Sequence, residues 1–264
     1  MILTQVPSGK KYSHIISLVP SQTELLFYLG LEKEVIGITK FCIHPTEWFR
    51  NKTRVGGTKS INYKTILQLS PDLIIVNKEE NVKEQVEKLA EKYDVWITDV
   101  NNLSDAIKMI HDIGKLTGRT EPASELVLKI KEEFEKLQID FFKSDGVSIP
   151  IRFRKAAYFI WKDPYMVAGG DTFINDMMHY CELENAFADK KRYPQISLNK
   201  IKEKNTELIL LSSEPYPFKE KHKEQIQEQM DGIKIELVDG EMFSWYGSRM
   251  LKSIIYFREF RRNL

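Results

Sequence analysis

The chain has 264 residues, 42% of them hydrophobic and 29% charged. That length holds one large domain or two lobes of roughly 110 to 130 residues, each able to bury its own core. Lysine and arginine number 39 and aspartate and glutamate 38, a net charge of +1, which leaves no overall basic field for nucleic acid or an anionic membrane. No window approaches ~18 consecutive apolar residues, so no transmembrane helix is expected. The opening residues do not read as a signal peptide. Their apolar run, Ile15 to Val19, is short, and no small-residue cleavage site follows it. Either the chain is cytoplasmic or a leader lies outside this numbering. Cys42 and Cys181 are too few and too far apart for a zinc framework or a disulfide scaffold, and they leave the redox compartment open.

Strand and helix patterns alternate. Ile15 to Val19 reads as a buried strand stopped by Pro20. Ser21 and Glu24 are spaced as a capping box, and the helix they open closes at Gly30. A strand follows at 35–39, a short helix at 63–69, and a strand at 72–76. Then come a helix at 82–92, a strand at 95–98 and a helix at 103–116 with Gly118 beyond it. A charged helix is expected from Pro122 to Phe142, on the order of 30 Å long, with Ser144-Asp145-Gly146 ending it. The alternation resumes with a strand at 155–161, helices at 172–180 and 198–204, a strand at 207–212, a helix at 218–229, a strand at 233–238 and a final helix from about 247.

The two halves repeat. Residues 72–76 match 207–211 at a shift of 135, and residues 95–99 match 235–239 at a shift of 140. This predicts an α/β fold of two Rossmann-like lobes, residues 1–118 and 146–264, joined by one long rigid α-helix within 119–145. In such folds a ligand binds outside the carboxyl ends of the strands, here in a cleft between lobes.

The strand-end loops are rich in aromatics. They supply Phe41, Trp161, Tyr165, Phe243, Trp245 and Tyr246 as candidate contacts, with His44 and Glu80 as polar ones. One buried aromatic removes ~150–250 Å² from water, so several facing a cleft would grip a large flat ligand. Cys42 and His44, two apart on an extended loop, are spaced to face the same way, as a nucleophile with its base or as two soft metal ligands. A bare divalent ion would take His44, Glu80 and Glu241. The Gly169-Gly170 pair permits close backbone approach to a ligand. No Walker, G-x-S-x-G or H-E-x-x-H motif occurs.

The segments Ile16-Ser17-Leu18-Val19-Pro20-Ser21-Gln22-Thr23-Glu24-Leu25, Leu69-Ser70-Pro71-Asp72-Leu73-Ile74 and Tyr193-Pro194-Gln195-Ile196-Ser197 resemble the helical-backbone substrate-binding proteins of ABC importers. This group carries cobalamin and iron–siderophore complexes, and the cobalamin-binding type is the most similar. The resemblance implies a non-catalytic monomer with no covalent cofactor. Its ligand would be a small-molecule metal complex, a corrinoid or a ferric chelate, and its partner an ABC permease. It implies a periplasmic or lipid-anchored protein. It adds Tyr193 to the contacts and supports Phe41 and Trp245. Two further aromatic positions of the cobalamin-binding type fall on Thr58 and Asn77. The family's permease-docking glutamates fall on Lys64 and Asn199, with Glu203 nearby.

Overall fold

Short runs of β-branched and leucine residues become strands, and the amphipathic stretches between them become helices. The computed structural model describes residues 1–142 and 153–264. Within the first half these are β1 (Ile2–Leu3), β2 (Ile15–Ser17), α1 (Pro20–Tyr28), β3 (Val35–Ile38), α2 (Thr46–Asn51), β4 (Thr53–Arg54), α3 (Tyr63–Leu69), β5 (Leu73–Asn77), α4 (Lys83–Ala90), β6 (Asp94–Thr98) and α5 (Leu103–Leu116). The 23-residue α6 (Thr120–Phe142) follows, about 34 Å at 1.5 Å per residue. The expected terminator Ser144-Asp145-Gly146 lies outside the described residues. The second half holds β7 (Arg154–Trp161), β8 (Met166–Val167), α7 (Phe173–Tyr180), β9 (Leu183–Asn185), α8 (Leu198–Glu203), β10 (Leu208–Ser212), α9 (Glu220–Gln227), β11 (Lys234–Val238), α10 (Gly240–Ser244) and α11 (Met250–Arg262).

The chain forms two compact units. One comprises 1–100, 104–130 and 245–250; the other comprises 101–103, 251–264 and the described residues of 131–244. α6 thus begins in one unit and ends in the other. Residues 245–250 join the first unit, although chain order places them with the second half.

In the first unit six strands form a sheet in the order β1-β6-β5-β2-β3-β4, all parallel. Central β5 is buried at all five residues, as a parallel strand covered on both faces must be. Ile16, Leu18, Ile66, Ile74, Val76 and Val95 share one core cluster. Each such side chain contributes about 1.5–3 kcal/mol on burial. The second unit has the sheet β11-β10-β7-β8, with β9 also paired to β7; only β8 is antiparallel.

The repeat survives at the level of register. Ile74 lies opposite Val95 in β5 and β6, and Ile209 lies opposite Ile235 in β10 and β11. The shifts of 135 and 140 therefore carry one cross-strand pair onto the other.

Two local expectations are corrected. Pro20 is the first residue of α1 and not merely a strand terminator. Val19 is the N-cap, with no side-chain cap. Ser21 and Glu24 form no capping box, because Glu24 is held by Arg249. The Gly169-Gly170 pair serves the chain's own backbone. Their amides donate to the carbonyls of Arg192 and Lys190, at 2.7 and 2.8 Å. A Cβ on Gly170 would sit 2.1 Å from the Ala188 carbonyl oxygen. Gly170→Ala is therefore expected to lower stability by about 1–3 kcal/mol. Urea unfolding checks this; an unchanged midpoint would show that residues 188–192 can move aside.

Candidate functional site

At the carboxyl ends of β2, β3 and β5 the first unit gathers three loops, the first turn of α1 and residues 245–250. The loop after β5 is built by side-chain amides. The Asn77 Oδ1 accepts from the backbone amides of Glu79 and Glu80, at 2.9 and 3.3 Å, and its Nδ2 donates to the Thr98 carbonyl at 3.1 Å. Asn81 accepts from the Asn77 amide at 2.9 Å and donates to the Thr58 carbonyl at 2.9 Å. Thr58 and Asn77, where the resemblance would place aromatics, are both buried. Asn77 uses its side chain to fix this turn.

The turn holds Glu80 half-buried. Burial pushes its carboxyl above the usual carboxylate range and Glu79 adds to this, while the Lys59 ammonium opposes it. Tyr246 is buried, its hydroxyl against Gln22 and Ser21. Burial, followed by the charge of Glu80, drives its pKa far above the ordinary phenol value.

Behind this loop lies a buried ion pair that sequence reading missed. Arg249 donates from Nε to Glu24 Oε2 at 2.6 Å and from Nη2 to Glu24 Oε1 at 2.9 Å, a two-point contact. The guanidinium also lies 4.8 Å from the Trp245 ring centre. The Trp245 ring meets the His44 imidazole edge-on at 5.6 Å. Glu24, Arg249, Trp245 and His44 thus form one continuous stack. No local signal marks Glu24 and Arg249 as partners, since 225 residues separate them. Phe41 stands 50% exposed at the end of β3, with the Lys40 ammonium 5.1 Å from its ring centre.

Cys42 and His44 do not act together. Cys42 is fully buried, with the Thr23 and Thr39 hydroxyls at 3.1 and 3.2 Å from its sulfur. Burial pushes its thiol up, which is the reverse of what a nucleophile needs. The expected metal set is also corrected. Among the described residues no group of three or more His, Cys, Asp or Glu side chains is placed to hold an ion, and Glu241 belongs to the second unit while His44 and Glu80 belong to the first.

In the second unit β7 ends on Trp161, 40% exposed, its ring edge-on to Tyr216 at 5.7 Å. Tyr165 is half-buried, edge-on to Phe159. The 193–197 stretch lies along β8, with the Ile196 amide donating to the Tyr165 carbonyl and the Pro194 carbonyl accepting from Val167. It leaves Tyr193 half-buried. Phe243 is a core residue. α10 turns it inward, fully buried against Tyr158, Tyr256, Phe257 and Phe260. Glu241 is half-buried, its amide donating to Asp239. Lys64 is exposed on α3 and Asn199 on α8, while Glu203 pairs with Lys200 at 2.5 Å.

Comparison with known proteins places this geometry in a family. A family model described as periplasmic binding protein matches residues 15–233. The uncharacterized ABC transporter substrate-binding lipoprotein YvrC of Bacillus subtilis is 25% identical over 256 residues, covering 93% of this chain and 78% of that protein. The vitamin B12-binding protein of Vibrio parahaemolyticus is 22% identical over 207 residues, covering 78% of this chain and 72% of that one. Among solved structures, a periplasmic heme-binding protein from Pseudomonas aeruginosa superposes with a TM-score of 0.79 at 16% identity, over 93% of this chain and 91% of that one. At that identity the likeness speaks for the fold.

Two outcomes follow from the site's chemistry. Arg249→Ala strands a buried carboxylate and is expected to cost about 3–5 kcal/mol, whereas Glu24→Gln with Arg249→Met recovers most of that loss. Chemical denaturation of the two variants beside the unaltered protein measures both. Neither Cys42 nor Cys181 is expected to react with iodoacetamide at pH 7 while the protein is folded, since both thiols are buried and shifted up. Both become reactive in denaturant, and His44→Ala leaves the folded rate unchanged. Fast labelling of Cys42 in the folded protein would contradict its placement.

Proposed function

Because the chain belongs to the periplasmic binding protein family, whose members bind substrates for ABC transporters and do not transform them, we propose that its substrate is a metal–organic complex with a broad conjugated face, of the corrinoid, heme or ferric-chelate class. The single observation that carries this reading is the exposed aromatic edge each unit sets at its strand ends. Phe41 is exposed in the first and Trp161 in the second, each backed by packed rings or a cation. Singly exposed aromatics are ordinary. Placed at strand ends, where α/β folds bind ligands, they suit a flat ligand that stacks on rings.

The relatives' ligands point the same way. Vitamin B12 and heme, named for two of the similar proteins, are both planar macrocycles around a metal. Such a complex would be cargo and not a resident cofactor. In the first unit His44 is the group suited to reach its metal. Imidazole nitrogen is a common axial ligand, and the Trp245 edge orients the ring. Glu80, whose carboxyl burial shifts toward the uncharged form, suits hydrogen bonding to a peripheral amide or acid of the ligand. Tyr165 and Tyr193, both half-buried, add polar tips on apolar rings, whereas the buried Tyr246 braces the site from behind.

Delivery to an ABC permease is the role of the family. Among the described residues no helix is long and apolar enough to cross a membrane.

The test is titration with cobalamin, cobinamide, heme and a ferric siderophore, followed by tryptophan emission and by the ligand's own absorption. At least one is expected to bind at micromolar or tighter, about −8 kcal/mol. Phe41→Ala should weaken that ligand by about 1 kcal/mol, roughly fivefold. His44→Ala should remove the absorption change at the metal while leaving tryptophan quenching. No binding tighter than about millimolar by any of the four would overturn the reading.

A further inference from the structure

The aromatic edge of the second unit is not free-standing. Its rings form a chain that ends on a buried histidine. Trp161 meets Tyr216 edge-on at 5.7 Å, Tyr216 meets Phe218 at 4.8 Å, and both meet the His222 ring, at 5.4 and 5.8 Å. Trp161 is 40% exposed and Tyr216 half-buried, but Phe218 and His222 are buried, at 5% and 6%. The exposed ring therefore rests on a half-buried tyrosine that is itself backed by two buried rings.

His222 is held by a bond that only one protonation state can make. It is the third residue of α9, and its Nδ1 accepts the backbone amide of Lys219, the N-cap residue, at 3.0 Å. This is the part that glutamate or glutamine plays in a capping box. With Nδ1 accepting, the neutral ring carries its proton on Nε2, which faces the Tyr216 hydroxyl at 3.4 Å. Protonation places a second donor against the Lys219 amide, so the cap is lost and two N–H groups oppose each other.

The surroundings resist that proton. The charged groups facing the ring are Lys162 from the loop after β7, Lys219 and Lys221 from the start of α9, and Asp163; all but Asp163 disfavour a positive imidazole. Burial is the largest effect and acts in the same direction, holding the pKa below the ordinary histidine value. The same surface is tied to the ring chain at two more points. Lys162, next to Trp161, donates to Gln225 of α9 at 2.8 Å, and the Tyr216 amide donates to the Ile160 carbonyl at 3.2 Å.

We propose that His222 is a positioning residue for ligand binding: while its imidazole is neutral it fixes Tyr216, and through Tyr216 it fixes Trp161, in the orientation that presents the tryptophan face. The proposal rests on the reading of Trp161 as a ligand contact. It adds that the grip of this edge depends on acid. The sign follows from the lowered pKa. The arrangement is fully formed above the ordinary histidine range near 6.5 and is lost as pH falls through the lower folded value.

The experiment separates the two ideas by reading the free protein first. Tryptophan emission and the His222 imidazole resonance are followed from pH 8 to pH 4.5 in wild type, Trp161→Phe, His222→Gln and His222→Ala. Wild type should show emission moving on the same curve as the His222 resonance, and Trp161→Phe should lose that step. His222→Gln keeps an acceptor for the Lys219 amide but does not titrate, so its emission should stay flat and wild-type-like. His222→Ala should show the altered emission at every pH, with circular dichroism confirming that it is folded. Affinity for whichever of cobalamin, cobinamide, heme or ferric siderophore binds should then fall several-fold in wild type over that curve, and not in His222→Gln. Emission indifferent to the His222 titration, or an unchanged step in His222→Gln, overturns the proposal. So does affinity that ignores pH while emission follows it. If no ligand binds at any pH but the emission step tracks His222, the binding reading fails and the positioning of Trp161 by His222 stands.

Discussion

One buried ion pair anchors the strand-end face of the first unit. Glu24 belongs to the first turns of α1, and Arg249 to a six-residue segment that returns to this unit from the far end of the chain. The two-point contact joins the Tyr246 hydroxyl's contacts with Gln22 and Ser21 in tying residues 245–250 to α1. Gly247 makes the return feasible. Its φ of +96° is a conformation that side chains rarely adopt, and an added Cβ would press on Leu25 at 3.3 Å. A buried pair of this kind is weak evidence for net stability, because desolvation offsets its attraction. Its evident product is location. It places an indole, a phenol and the imidazole of His44 at the ends of β2, β3 and β5.

The framework that carries this face was legible because strands buried on both sides announce themselves. Leu73 to Val76 and Leu208 to Leu211 are continuous apolar runs. Their repeat, at shifts of 135 and 140, pointed to two α/β units, and the pairs Ile74 with Val95 and Ile209 with Ile235 follow the same shifts. Helices α3 and α5 fell at their expected limits because their apolar spacing and flanking residues agree. Two- and three-residue strands, β1, β4, β8 and β9, went unread. A strand that short has no period to detect, and its existence depends on the edge it pairs with. The misread capping box has the same origin. Ser21 and Glu24 carry the right local spacing, but a partner 225 residues away claims the carboxylate, and tertiary contact overrides local preference.

The site was legible in its chemistry and less so in its directions. Aromatics were expected at the strand ends, and Phe41 and Trp161 do stand exposed there. Phe243 sits in the same kind of loop by sequence and is fully buried, because the short α10 rotates it toward Tyr158 and the α11 rings. Sequence does not distinguish the two cases, since the choice depends on whether a five-residue helix forms. Cys42 and His44 show the same limit. Alternation on an extended loop would point them alike, yet Thr23 and Thr39 draw the thiol inward and Trp245 holds the imidazole. The glycine pair at 169–170 was read as room for a ligand's close approach, but what approaches is the 188–192 backbone.

The two edges that result are built on different physics. In the first unit the exposed ring has polar support behind it: the Glu24–Arg249 ion pair, a turn built by side-chain amides and the half-buried carboxyl of Glu80. Such a network is rigid while every member is paired and costly when one is removed. In the second unit the support is ring against ring, closed by a single imidazole acceptor at the start of α9. Ring packing is directional but soft, at about 0.5–1.5 kcal/mol per pair beyond burial. Its geometry therefore follows whatever holds the last ring. A near-zero net charge conceals this difference. The carboxylates at the first edge are balanced by Lys59 and Arg249, while the histidine at the second is surrounded mostly by lysines. Burial thus acts on an added proton in opposite senses in the two places, favouring it at Glu80 and opposing it at His222. At Glu80 it completes a carboxyl that burial already favours uncharged. At His222 it creates a charge that burial and three lysines disfavour, and the ring chain leading to Trp161 is where that cost is felt.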